Sequence, residues 1–169
     1  MITPAHLQLM ARYNRWQNQS IYRAAATLSD QQRKADRGAF FGSLHGTLCH
    51  ILFGDQIWMH RFAGTPAPRG SSIKESATAI SEWNELVRER VTFDEVIIDW
   101  ADRLGPNWLE GTTTWASMAV GREITRGNWL LATQLFNHQT HHRGQAHCLL
   151  TQYGAKPDDT DIPFMPGLD

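Results

Sequence analysis

The stretch NHQTHHRGQAHCLL, residues 137–150, carries four of the chain's eight histidines within ten positions. It lies inside a longer helical pattern that runs from about Gly127 to Tyr153 and stops at Gly154, with Lys156-Pro157 beyond. At about 100° per residue, Leu131, Leu135, Leu149 and Tyr153 mark the buried stripe of this helix. His138 and His142 fall inside the stripe one turn apart, His141 lies near its edge, and His147 points elsewhere.

Two imidazoles at i and i+4 stand side by side on one helix face, where neutral rings can ligate one divalent ion. Hydrogen-bonded core or surface histidines are the alternative. A metal needs a third ligand from another helix, and the best candidate is His50, in LHGTLCHILFGDQIW, residues 44–58. Gly42, Gly46 and Gly54 recur around it at multiples of four. Glycine costs helix stability, so the pattern implies space for a ligand or close packing against a neighbour. Three histidines leave a coordination position open for water or a substrate atom, as in catalytic sites. Zinc suits such a site, and imidazole also accepts nickel, manganese or iron. The residues between His138 and His142 are Gln139, Thr140 and His141, so the HExxH general base is absent. Gln145, and Gln134 one turn before His138, are placed to hydrogen-bond a ligand or a bound water. Asp55 is a candidate acceptor for a ligating ring, or a partner for Arg143 or Arg122.

Working outward, Thr3-Pro4 reads as a helix start. Leu7, Met10, Asn14, Gln17, Ile21, Ala25 and Leu28 follow at helical spacing, with an oddly polar centre. A second helix fits Phe40 to Phe62, with Leu44, Leu48, Ile51, Asp55, Trp58 and Phe62 on one face. GTPAPRGSS, residues 64–72, breaks it. A third helix begins near Ser71 or Ser72, with Ser72 and Glu75 as a capping box, and turns Ile73, Ala77, Ile80 and Val87 inward. Residues 92–126 fit helices poorly: Glu95 to Trp100 reads as strand or loop, and Thr112 to Val120 can pair with Glu123 to Thr125 as a small hairpin. The tail, Asp158 to Asp169, reads as extended and packed across the helices through Ile162, Phe164 and Met165. Four amphipathic helices with a long connection before the last predict an all-α four-helix bundle of open topology.

At 169 residues, with 41% apolar and 20% charged residues, the chain is expected to form a single domain over 1–169. A net charge of -1 gives no basic footprint for nucleic acid. No apolar run is long enough to span a membrane, and no signal peptide precedes the first helix. Cys49 and Cys148 read as buried thiols in a reducing cytoplasm. Seven tryptophans are expected to anchor the core or an interface, with some lining a pocket.

The sequence resembles the DinB family, the DinB/YfiT-like metalloenzymes of the damage-inducible type. The resemblance is carried by Tyr13-Asn14-Arg15-Trp16-Gln17-Asn18, by Leu48-Cys49-His50-Ile51, by the tail Pro157-Asp158-Asp159-Thr160-Asp161-Ile162, and most specifically by Phe136 to Gln145 (FNHQTHHRGQ). It covers nearly the whole chain. It implies a four-helix bundle with a long connection before the fourth helix, and a metal site at His50, His138 and His142. It further implies a homodimer holding zinc or nickel, and chemistry on low-molecular-weight thiols such as mycothiol or bacillithiol. The expected function is therefore a cytoplasmic, metal-dependent transferase acting with a thiol on a small electrophile. A metal-dependent hydrolase of a small amide or ester and a non-catalytic metal-binding stress protein are the alternatives. His141 is the candidate base, Gln145, beside His142, a second candidate catalytic residue, and Arg143 the candidate group for an acidic cofactor.

Overall fold

Four long helices dominate the architecture of this computed structural model; a side chain caps the start of the first two, and none caps the last two. The structure describes residues 2–70, 72–117 and 120–168. Helix α1 spans Pro4–Ala26, with the Thr3 hydroxyl accepting from the His6 amide and proline in the first turn. A short α2, Asp30–Lys34, starts with a Ser29–Gln32 capping box. Helix α3, Leu44–Ala63, is capped by Ser43 and ends at Gly64, whose φ of 67° is left-handed backbone. A single turn, α4 (Ile73–Ser76), is capped by Ser72, and α5 covers Trp83–Arg103. After α6 (Pro106–Glu110), strands β1 (Thr112–Ser117) and β2 (Arg122–Gly127) form an antiparallel hairpin with Trp115 opposite Ile124. It delivers the chain to α7, Asn128–Thr151. Helix α1 packs on α5 and α7, and α3 packs on the same two, so the long helices close into a ring. The hairpin rests against α3 and α7. Among the described residues no helix is long and apolar enough to cross a membrane.

Several expectations need correction. The third long helix does not begin at Ser72. The chain makes one turn there, leaves Ile73 exposed, and restarts at Trp83. Glu95 to Trp100 is helical and not strand or loop. The second helix begins at Leu44, four residues later than expected, because Gly42 takes a φ of 73° and the chain bends there. The first ends at Ala26, two residues before Leu28. The hairpin pairs as far as Gly127, and its expected segment at Met118 and Ala119, like the Ser71 start and the Asp169 end, lies outside the described residues. Cys49 is buried as expected, whereas Cys148 is exposed; both are free thiols. The tail does run across the helices, but only Met165 of its three apolar residues is buried. Polar bonds tie it along α1: Tyr13 Oη donates to the Thr160 carbonyl (2.7 Å), Gln17 Nε2 to that of Asp159 (2.8 Å), and the Asp158 amide to Ser20 Oγ (2.7 Å).

The interior is split. One apolar cluster gathers Ile21, Leu48, Leu86 and Leu149, and a second gathers Leu7, Met59, Ile97 and Leu135. Between them each long helix contributes buried polar groups: Asn14 and Asn18 from α1, Asp55 from α3, Arg90 and Asp94 from α5, Gln139 and Arg143 from α7. Arg90 donates to Asp55 at 2.6 Å and pairs with Asp94 at 3.0 Å; Asn18 caps Asp94 (2.8 Å), and Gln139 donates to Asp55 (2.8 Å). Burial raises the pKa of both acids, and Arg90 opposes the rise. Buried charges of this kind stay ionised only while paired, so the layer fixes the register of all four helices.

Candidate metal centre

His50, on α3, and His138 and His142, one turn apart on α7, converge so that one ligand atom from each lies within 4.8 Å of the others. The ring centroids are 4.5–5.0 Å apart. The two Nε2 atoms of His50 and His138 are separated by 3.1 Å. Two Zn–N bonds of roughly 2.0–2.1 Å at a tetrahedral angle put their nitrogens about 3.3 Å apart, so this spacing suits a shared ion.

Local hydrogen bonds set the tautomers. Ser76 Oγ donates its one hydrogen to the Ile73 carbonyl, so it accepts from His50 Nδ1 (2.8 Å), and His50 Nε2 keeps its lone pair. Gln145 Oε1 accepts from His142 Nδ1 (2.8 Å), which likewise leaves Nε2 unprotonated. His138 has one hydrogen when neutral, and its buried Nδ1 has no partner. The cluster therefore holds more converging lone pairs than hydrogens, the condition a cation relieves. Burial first, and then the charges of His138 and His142, push His50 down to about 3. Burial and the charges of His142 and His141 push His138 to about 4, and His142 is lowered by burial against its Gln145 bond. All three rings are consequently neutral near pH 7 and need not lose protons to bind metal.

The glycines around His50 have specific neighbours. A Cβ on Gly54 would sit 2.7 Å from His138 Cε1, so the ring occupies space that only glycine leaves. A Cβ on Gly46 would sit 2.5 Å from the Phe41 carbonyl oxygen. That close approach lays the segment before α3 onto the helix and stacks the Phe41 ring on His50, centroids 3.8 Å apart. Two cavities share His50, His138 and Ile73 as walls. One, of about 340 Å³, is bounded by Phe40, His141, His142 and Gln145. The other, of about 720 Å³, runs beneath the hairpin to Trp58, Arg61 and Trp115.

The remaining candidates are placed as follows. Gln145 bridges the site: its carbonyl takes His142, and its amide nitrogen donates to Nε2 of the exposed His141 (3.2 Å). Arg143 is buried away from the three rings, bonded to Asn14 and lining a separate cavity with Tyr13 and His147. Asp55 pairs with Arg90 and Gln139, and with neither Arg143 nor Arg122; Ser76 takes the place foreseen for it beside His50. Gln134 is exposed. His45 is a structural group, its Nε2 bonded to the Ile80 carbonyl at 2.7 Å. Sequence reasoning missed Ser76 and Phe41, since nothing in their local pattern marks contact with a ring 26 or nine positions away.

A mostly helical chain with three convergent histidines between its helices is the class defined here. The chain belongs to the DinB family, whose model matches residues 1–168. Among solved structures, a DinB-like protein from Bacillus cereus ATCC 10987 shares the fold, with a TM-score of 0.61 at 16% identity over 85% of this chain and 90% of that one. No curated protein matches the sequence.

Proposed function

We propose that the protein is a metal-dependent enzyme in which His50, His138 and His142 hold one divalent ion, zinc or nickel. In this reading it transfers a low-molecular-weight thiol to a small electrophile. The observation that carries the reading is the convergence of three neutral imidazoles whose tautomers are set by Ser76 and Gln145. When bound, the ion supplies Lewis acidity and the positive charge that keeps a thiol ionised near neutral pH. Three neutral ligands leave that charge uncompensated, which favours an anionic ligand. Ser76 and Gln145 orient the rings, Phe41 shields His50 from solvent, and His141 in the smaller cavity accepts the proton released by the thiol. Arg143 is assigned to the scaffold.

The position of His141, its ring 4.8 Å from that of His142, also favours a second reading, hydrolysis of a small amide or ester with His141 as general base. The same proposal takes residues 1–169 as one four-helix-bundle domain, cytoplasmic and homodimeric, without nucleic-acid or membrane partners. Exposed Trp129 and Leu130 at the start of α7 support an apolar dimer contact. The test pairs the metal-loaded protein with bacillithiol, mycothiol, glutathione and coenzyme A against a panel of electrophiles. Thiol consumption abolished by His142→Ala with the circular dichroism unchanged supports the transferase. Turnover of esters or amides without thiol supports the hydrolase, and no turnover with either overturns the enzymatic reading.

A further inference from the structure

The larger cavity carries chemistry that the histidines do not use. His50, Gly54, Ile57, Trp58 and Arg61 all line it, and their spacing of four, seven, eight and eleven residues puts them on one face of α3. His50 and Arg61 are therefore separated by three turns, about 16 Å along the axis at 1.5 Å per residue. Between them Gly54 carries no side chain, and the His138 ring packs into the space it leaves. Trp115, from β1, adjoins this face and continues the wall, its ring meeting that of Trp58 edge-on with centroids 5.8 Å apart.

Arg61 closes the far end. Its guanidinium carbon lies 4.7 Å from the Trp58 ring centroid and 5.1 Å from that of Trp115. Among the described residues it has no acidic partner, although six other arginines are paired. Burial depresses its pKa with no opposing charge. No aspartate or glutamate lines the cavity, and Lys74 adds a second cation at the rim. The guanidinium sits against two indoles, and among the described residues no hydrogen bond engages its N–H groups, which leaves them for a planar, two-oxygen acceptor. Such a cation, half out of water and without a counter-ion, is the feature that a hydrophobic pocket reserves for the anionic end of a ligand.

We propose that this cavity binds an elongated carboxylic acid with a flat aromatic body. The carboxylate is held by Arg61, the body lies against the apolar wall that Ile57, Trp58 and Trp115 form together, and the distal end is presented to His50 and His138. The last element rests on the metal-site reading; recognition of the acid does not. Substrates of the enzyme would accordingly carry their reacting group at the end opposite the carboxylate.

The test measures binding of 4-phenylbutyrate and of its neutral amide by calorimetry, to metal-loaded wild type and to His138→Ala. The acid should bind at least tenfold more tightly than the amide in both proteins. Arg61→Gln should abolish that preference while leaving amide affinity within twofold, Arg61→Lys should restore part of it, and Trp115→Ala should weaken acid and amide together. Equal affinities for the two probes, failure of both to bind, or a preference that survives Arg61→Gln would each overturn the proposal. Retention of the preference in His138→Ala alongside lost metal would show the pocket standing while the metal reading is judged separately.

Discussion

Replacing Gly54 with alanine sets a known helix gain against a defined collision. In a helix interior alanine is favoured over glycine by about 0.8–1.0 kcal/mol. At position 54 the new methyl would lie 2.7 Å from His138 Cε1 and 3.2 Å from its Nδ1, so the ring must move. Overpacking of this kind costs roughly 1–3 kcal/mol, which leaves the variant between neutral and about 2 kcal/mol less stable. The ring that moves is one of three proposed ligands, so metal affinity should fall on the order of 10–100-fold, the range for a misoriented ligand. Gly144→Ala is the control: nothing lies within 4 Å of its Cβ position, and the same helix gain should appear with metal binding intact. Urea unfolding of the metal-free proteins gives the stabilities, and competition with a chromophoric chelator gives the affinities. If Gly54→Ala gains the full helix increment and binds metal like wild type, the packing of His138 against α3 is wrong.

Arg90→Met should destabilise by about 3–5 kcal/mol at pH 7, because it strands two buried carboxylates, and the loss should shrink at pH 5 as the stranded acids take up protons; urea midpoints at both pH values check this. The depressed pKa values of His50 and His138 mean that the unfolded chain binds more protons below the ordinary value of 6.5. The stability they contribute to the metal-free protein is thus full above that pH and is lost as pH falls toward about 4 and then 3. The slope should flatten in a His50→Gln/His138→Gln double variant, and an unchanged slope would contradict the assignment. A thiol reagent should titrate one cysteine quickly in the native protein and two in denaturant, because Cys148 is exposed while burial pushes Cys49 to about 12.

The last helix was legible because its apolar residues and its two key histidines repeat on a single face. His50 was legible as the histidine flanked by helical glycines. The third long helix was obscured by its own core: its inward stripe runs Leu86, Arg90, Asp94, Ile97, Ala101, and two charges in the middle break an apolar periodicity. Val96-Ile97-Ile98 then read as β-branched strand, although tertiary contacts override that preference. The same polar layer accounts for the odd centre of the first helix. Asn14 and Gln17 are buried there, Asn14 accepting from Arg143 and Gln17 donating to the tail. Groups that act across the fold, such as Ser76, Phe41 and the Arg61–Trp115 contact, carry no local signature. They are defined by where the ring of helices and the hairpin place them.

Elemental analysis of the purified protein is the most direct test of the centre. About one divalent ion per chain is expected for wild type and less than about a tenth of that when His138→Ala and His142→Ala are combined, while His147→Ala should leave the content unchanged. Metal retained by the double variant, or lost on His147→Ala alone, would show that these three imidazoles are not the site.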